Sequence, residues 1–258
     1  MFHRVFLIAR TVWLEFLRRK DFYVVLILVG MFTVGIVVIR VIGIENAATA
    51  RFLMSLGLLV SYSLAAVLTV TVAARQLPNE IENRTLLPLL AKPVSRAEVI
   101  LGKAVAVTAI AWASLLLFLL LSWAPVPRLP DQRFFVFVQM AMLRMVALCL
   151  LSIYTIALSL LMPSAVAVLI SLGTFFAAPT IVNFVAQLVS NSWRLGGRVV
   201  ERILAIVPDF SVLEHSERYV EGASPMPILA VFAALGYGVA FAAFFYSLTV
   251  WRFKGRML

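Results

Sequence analysis

Residues 82–103 read ENRTLLPLLAKPVSRAEVILGK. The apolar runs on either side carry almost no charge, so this stretch decides what kind of chain they belong to. Pro78 and Asn79 open a short helix, with Asn79 as cap and Glu82, three residues on, as its reciprocal partner. Leu86, Leu87, Leu89 and Leu90 give that helix an apolar patch. Pro93 ends it, because the residue before a proline is pushed out of helical geometry. Ser95 and Glu98 then form a second capping box at the start of the next apolar run. A plain connection needs neither a start nor a stop, so a capped helix between two apolar runs points to a contact with something outside them.

Working outward, the runs are long enough to span a membrane. Hydrophobic residues make up 63% of the chain and charged residues only 13%, half the charge of an ordinary soluble domain. Mean hydropathy is +1.04. A hydrocarbon core about 30 Å thick needs roughly 20 apolar residues in a helix. Six segments qualify: 22–43, 53–75, 101–123, 134–161, 164–189 and 225–251. Strand-like alternation is absent, so the expected fold is an all-α polytopic membrane protein forming a single domain over 1–258, with no soluble domain attached. The lone cysteine, Cys149, has no intrachain disulfide partner.

A net charge of +10 would raise nucleic acid as a partner for a soluble chain. Here its distribution reports topology instead, and no nucleic acid is expected. The side holding both termini and the 76–100 connection carries Arg4, Arg10, Arg18, Arg19, Lys20, Arg75, Arg84, Lys92, Arg96, Lys103, Arg252, Lys254 and Arg256; the other side carries fewer. The positive-inside rule then places both termini, and the quoted stretch, in the cytoplasm. The expected location is the cytoplasmic (inner) membrane.

Before the first span, Phe2, Val5, Phe6, Ala9, Val12, Trp13, Phe16 and Leu17 share one helical face, with Arg4, Thr11, Glu15 and Arg18 opposite. This predicts an amphipathic interfacial helix over 1–20 in contact with lipid, rather than a signal peptide. Met162-Pro163-Ser164 predicts a tight turn between spans four and five. The longest connection, 190–224, is expected on the outer surface, where Ser211 and Glu214 are expected to cap a short helix.

Catalytic signatures are missing. Gly102-Lys103 lacks the earlier glycine of a phosphate-binding loop, since that position is Ala97. His3 and His215 lie far apart and fit no metalloprotease spacing. The chain is therefore expected to have no catalytic residues, no bound metal and no ATPase activity of its own. Met140, Met142 and Met145 read as copper ligands or, more simply, as packing residues, and packing is favoured. Arg144 lies inside the fourth span. It either faces a water-filled path or snorkels to the interface. Thr180, Asn183 and Gln187 share a face of the fifth span, where they line a cavity or bond neighbouring helices; Tyr62, between Ser61 and Ser63, has the same two readings.

The run EIENRTLLPLLAKPVSR at 80–96, followed by LGK at 101–103, resembles the cytoplasmic loop of type-2 ABC transporter permease subunits, of the type V exporter fold. Arg84 stands where that family has glycine. The amphipathic start, six spans, long outer connection and basic end are similar over essentially the whole chain, and the look is closest to the permease of nitrous oxide reductase maturation systems. The resemblance implies a dimer of permeases, most simply two copies of this chain, joined to two ATPase subunits that bind ATP and Mg. It makes the 76–100 loop the seat of a coupling helix, with Leu86, Leu89 and Leu90 as apolar contact and Glu80, Glu82, Thr85, Pro93 and Arg96 completing the docking motif. It implies export or extrusion along a path near Tyr62, Arg144, Thr180, Asn183 and Gln187. The alternatives are a mechanotransmitting subunit that acts on an extracytoplasmic partner at 190–224, and a secondary transporter. The latter expects acidic residues deep in spans, and the sequence places none there.

Overall fold

In hydrocarbon every backbone N–H and C=O must be bonded within the protein, and a continuous apolar run achieves this as a helix. The computed structural model describes residues 11, 12, 14, 16, 20–41, 47–78, 96–123, 133–177 and 207–255. Its helices are α1 (Lys20–Val41), α2 (Ala47–Gln76), α3 (Arg96–Trp123), α4 (Phe134–Leu161), α5 (Ser164–Ala177), α6 (Ser216–Val220) and α7 (Ile228–Gly255), with a 3-10 turn at Phe210–Leu213. No strand occurs among the described residues, in keeping with the all-α expectation.

Four of these helices contain stretches long and apolar enough to cross a membrane: Ala47–Gln76, Ala97–Ser122, Phe134–Leu161 and Ile228–Phe253. The two other expected spans correspond to shorter apolar helices, Leu26–Ile39 within α1 and Ser164–Ala177. At 1.5 Å per residue α5 covers about 21 Å, short of the hydrocarbon core; positions 178–189 of that expected span lie outside the described residues. Some boundaries also move. α2 begins at Ala47 rather than 53, because alanines carry the helix back through Arg51. α3 begins at Arg96 rather than 101, with Glu98 in its first turn complementing the helix dipole. α7 begins at Ile228 rather than 225, where the Pro227 carbonyl accepts from the Ala230 and Val231 amides.

Small and hydroxylic residues let the helices approach closely, as expected where lipid gives no hydrophobic drive between helices. Between α2 and α3, Ser61 Oγ meets the Phe118 carbonyl at 3.1 Å and Ser122 Oγ at 2.8 Å, next to Gly57. Between α3 and α4, Thr108 bonds Ser152 at 3.0 Å. Between α4 and α7, Gly238 sits against Val146. α4 is the central element, and Leu143, Ala147, Leu148, Leu150 and Leu151 along it are wholly buried.

Of the expected 1–20 helix, the described residues 11, 12, 14 and 16 are helical. Val12 and Phe16, one turn apart, bury in a cluster with Leu68, Val72, Val99, Ile100 and Phe253. The expected apolar face thus meets the bundle at these two positions. Nearby, Lys103 of α3 is buried and donates to the Gln76 carbonyl at the end of α2. This contact joins the two helices that flank the 79–95 connection. That connection lies outside the described residues, as do the expected helix around Leu86–Leu90, its cap Asn79, and Ser95, the expected cap of the following span.

Candidate functional site

Arg144 is the eleventh residue of α4, about 15 Å along its axis. It is 1% exposed, so its head group does not snorkel to either end of the bundle. Nη1 donates to the Leu58 carbonyl of α2 at 3.0 Å, and Nη2 donates to Glu214 Oε1 at 2.7 Å. The guanidinium also lies over the Tyr62 ring, 4.6 Å from its centroid, which adds a cation–π attraction. A buried cation needs such pairing, because stripping its water without a partner costs several kcal/mol.

Glu214 reaches this depth because the segment before α7 folds back onto the bundle. Phe210, Leu213 and Tyr219 are buried anchors. The Asp209 amide donates to Tyr237 Oη of α7 at 2.8 Å. Gln139 of α4 grips the segment further on, donating to the Met226 carbonyl at 3.2 Å and accepting from its amide at 3.1 Å. The expected capping by Ser211 and Glu214 gives way to another arrangement. Asp209 caps the 3-10 turn by accepting from the Ser211 amide at 2.9 Å, which leaves Glu214 free to serve Arg144.

Beside the ion pair lies a cavity of about 390 Å³. Leu59, Phe175, Phe176 and Phe210 form its apolar side, and Tyr62, Ser63, Arg144, Ser211, Glu214, Ser216 and Glu217 its polar side. The rings interlock edge to face, with Tyr62 and Phe176 each 5.0 Å from Phe175. Among the described residues, Tyr62 Oη, Arg144 Nε, Glu214 Oε2 and His215 Nδ1 are buried with no hydrogen-bond partner. Buried polar groups are normally satisfied, so the open valences on Tyr62, Arg144 and Glu214, all of which line the cavity, mark it as the candidate site among the described residues.

A model of the ABC-2 family transporter protein matches residues 60–258. The chain belongs to the ABC-2 transporter family. It is accordingly a multi-pass membrane permease component of an ABC transporter, a class that is generally non-catalytic and works with an ABC ATPase. No curated protein matches it. The matched region takes in Tyr62, the 79–95 connection, Arg144 and Glu214.

The permease thus brings two of the expected path residues, Tyr62 and Arg144, into direct contact. Thr180, Asn183 and Gln187 lie outside the described residues. So do Glu80, Glu82, Thr85, Leu86, Leu89, Leu90 and Pro93 of the expected docking motif, while Arg96 opens α3. Ser61 takes the helix-bonding alternative and Ser63 the cavity. The three methionines part company: Met140 is buried and Met142 exposed, and Met145 supplies its carbonyl to Trp112 Nε1 at 2.7 Å. Sequence reasoning named Glu214 only as a helix cap and missed its pairing with Arg144, because it counted acids within spans and this one arrives from a connection.

Proposed function

We propose that the chain is the membrane subunit of an ATP-driven exporter, in which two permease copies with six spans each receive work from two ATPase subunits. The proposed docking element is the capped helix between α2 and α3, with Glu80, Glu82, Thr85, Leu86, Leu89, Leu90, Pro93 and Arg96 as contacts. ATP and Mg are held by the partner. In this reading both termini and the docking helix face the cytoplasm, and the 207–227 segment faces the outside of the inner membrane. The finer kinship with permeases of nitrous oxide reductase maturation belongs to the same proposal.

The observation that carries a transport role is the buried Arg144 beside a 390 Å³ cavity. Intramembrane cations are rare and mark substrate or ion routes. A mechanotransmitting subunit has no need of a cavity at that depth. The test is co-purification in mild detergent. Glu82→Lys is expected to abolish recovery of the ATPase while the chain still inserts in the membrane. Undiminished recovery of the ATPase with this variant would count against docking at the loop. Arg144→Leu, at matched protein level, is expected to impair export by an intact complex.

A further inference from the structure

The two members of the ion pair are held very differently. Arg144 rises from the packed face of α4, is 1% exposed, and has two further contacts that do not involve Glu214, the Leu58 carbonyl and the Tyr62 ring. Glu214 is 33% exposed on its side chain. Apart from Arg144, its carboxylate accepts only a long 3.4 Å contact from the Ser216 amide among the described residues, and Oε2 is unpartnered. A change of Glu214 rotamer would expose the cation to the cavity without moving Phe210, Leu213 or Tyr219. Rotamer changes of exposed side chains take picoseconds to nanoseconds. The guanidinium then needs another anion, since it cannot be left unpaired or lose its proton.

The cavity says what that anion is attached to. Its apolar side is made of three phenylalanines and Leu59, and two of its members, Leu59 and Phe176, are 61% and 50% exposed at the bundle surface. An apolar body seated against Phe175 and Phe210 can therefore continue past them toward lipid. The polar side offers Ser63, Ser211 and Ser216 as hydrogen-bonding neighbours for a head group. Glu217, the other carboxylate on the lining, is exposed, so water and salt weaken its repulsion. The volume falls within the range of small-molecule sites.

We propose that this cavity binds the acidic head group of an amphiphile on Arg144, and that Glu214 is the displaceable internal occupant of the same position. The ligand carries one carboxylate or phosphate on an apolar body. Calling that ligand the exported substrate rests on the transport reading above; the binding site itself does not.

The full-length protein in phosphatidylcholine nanodiscs is titrated with radiolabelled dodecanoate and dodecyl phosphate, with dodecanol and dodecylamine as competitors. Both acids are expected to bind saturably, and dodecanol and dodecylamine to compete at least tenfold more weakly, roughly the worth of one charge-assisted hydrogen bond. Preference for either acidic head supports the site and identifies the head group. The discriminating variant is Glu214→Gln, which removes the internal competitor while keeping a polar side chain of the same size. It is expected to tighten acid binding by roughly tenfold, whereas a merely structural Glu214 would leave binding unchanged or weaken it. The charge-neutral Arg144→Gln/Glu214→Gln variant avoids stranding either charge and is expected to bind acid and alcohol alike. Equal binding of acid and alcohol by the unmodified chain, tighter binding of the amine, or no gain with Glu214→Gln overturns the proposal. ATPase recovery with the unmodified chain is scored in mild-detergent extracts of the same membranes. ATPase present without acid preference removes this site and leaves the transport reading standing; acid preference without ATPase does the reverse.

Discussion

A guanidinium more than a third of the way along a membrane helix survives here on three contacts, to the Leu58 carbonyl, Glu214 and the face of Tyr62. Removing one member of a buried pair strands the other, which is far worse than removing both. Arg144→Leu is therefore expected to destabilise the detergent-solubilised protein by about 3 kcal/mol, the low end for a buried pair because Glu214 is partly solvated. Adding Glu214→Leu is expected to recover most of that loss, read as the midpoint of thermal unfolding. Additive losses in the double variant would mean the two side chains do not act as a pair. Arg144 and Tyr62 were each legible in the sequence, Arg144 because a charge inside an apolar run announces itself. Their contact was not, since it depends on the register of α2 against α4. The role of Glu214 as the partner of Arg144 was invisible for a different reason: a carboxylate in a connection looks solvated until the connection is seen to fold inward on Phe210, Leu213 and Tyr219.

Among the elements, the α4–α7 contact is the tightest test of packing. A Cβ built on Gly238 would lie 2.5 Å from Val146 Cγ1 and 3.4 Å from Leu213 Cδ1, whereas one on Gly236, in the same helix, meets nothing within 4 Å. Gly238→Ala is expected to lower stability by about 1–3 kcal/mol through overpacking, and Gly236→Ala to be neutral or to stabilise by up to about 1 kcal/mol through helix propensity. Adding Val146→Ala to Gly238→Ala is expected to restore much of the loss, and thermal unfolding of the three variants beside the unmodified chain checks the set. The helices were the most legible feature of this chain, because uninterrupted apolar residues in lipid have few alternatives to helix. Their ends were less so. Ala47 to Ala50 prolong α2 by propensity that a hydropathy window does not weigh, and α7 waits for Pro227. The register that sets Gly238 on Val146 leaves no mark in composition at all, since glycine inside a span reads equally as a lipid-facing residue.

At the scale of the whole molecule, one rigid element touches both ends of the proposed mechanism. α2 ends at Gln76, beside the connection proposed to meet the ATPase, and carries the Leu58 carbonyl and Tyr62 to Arg144 about 27 Å away along the same helix. Helices this well packed transmit displacement as bodies rather than by bending. Lys103 joins α3 to the last carbonyl of α2 from a buried position, so a push on the 79–95 connection reaches α2 and α3 together. Lys103→Met keeps the apolar stem and removes the donor. It is expected to leave the ATPase bound, yet to reduce ligand-stimulated ATP turnover several-fold relative to basal turnover. Lys103→Arg, which still donates, is expected to restore the stimulated-to-basal ratio in part. A purely structural lysine predicts another result: less folded protein, with the ratio unchanged in whatever complex survives. Measuring that ratio beside ATPase recovery separates the two, and separates both from Glu82→Lys, for which the partner itself is expected to be lost. Full stimulation in Lys103→Met would show that α2 and α3 need no joint at this end, and that work enters the bundle by some other helix.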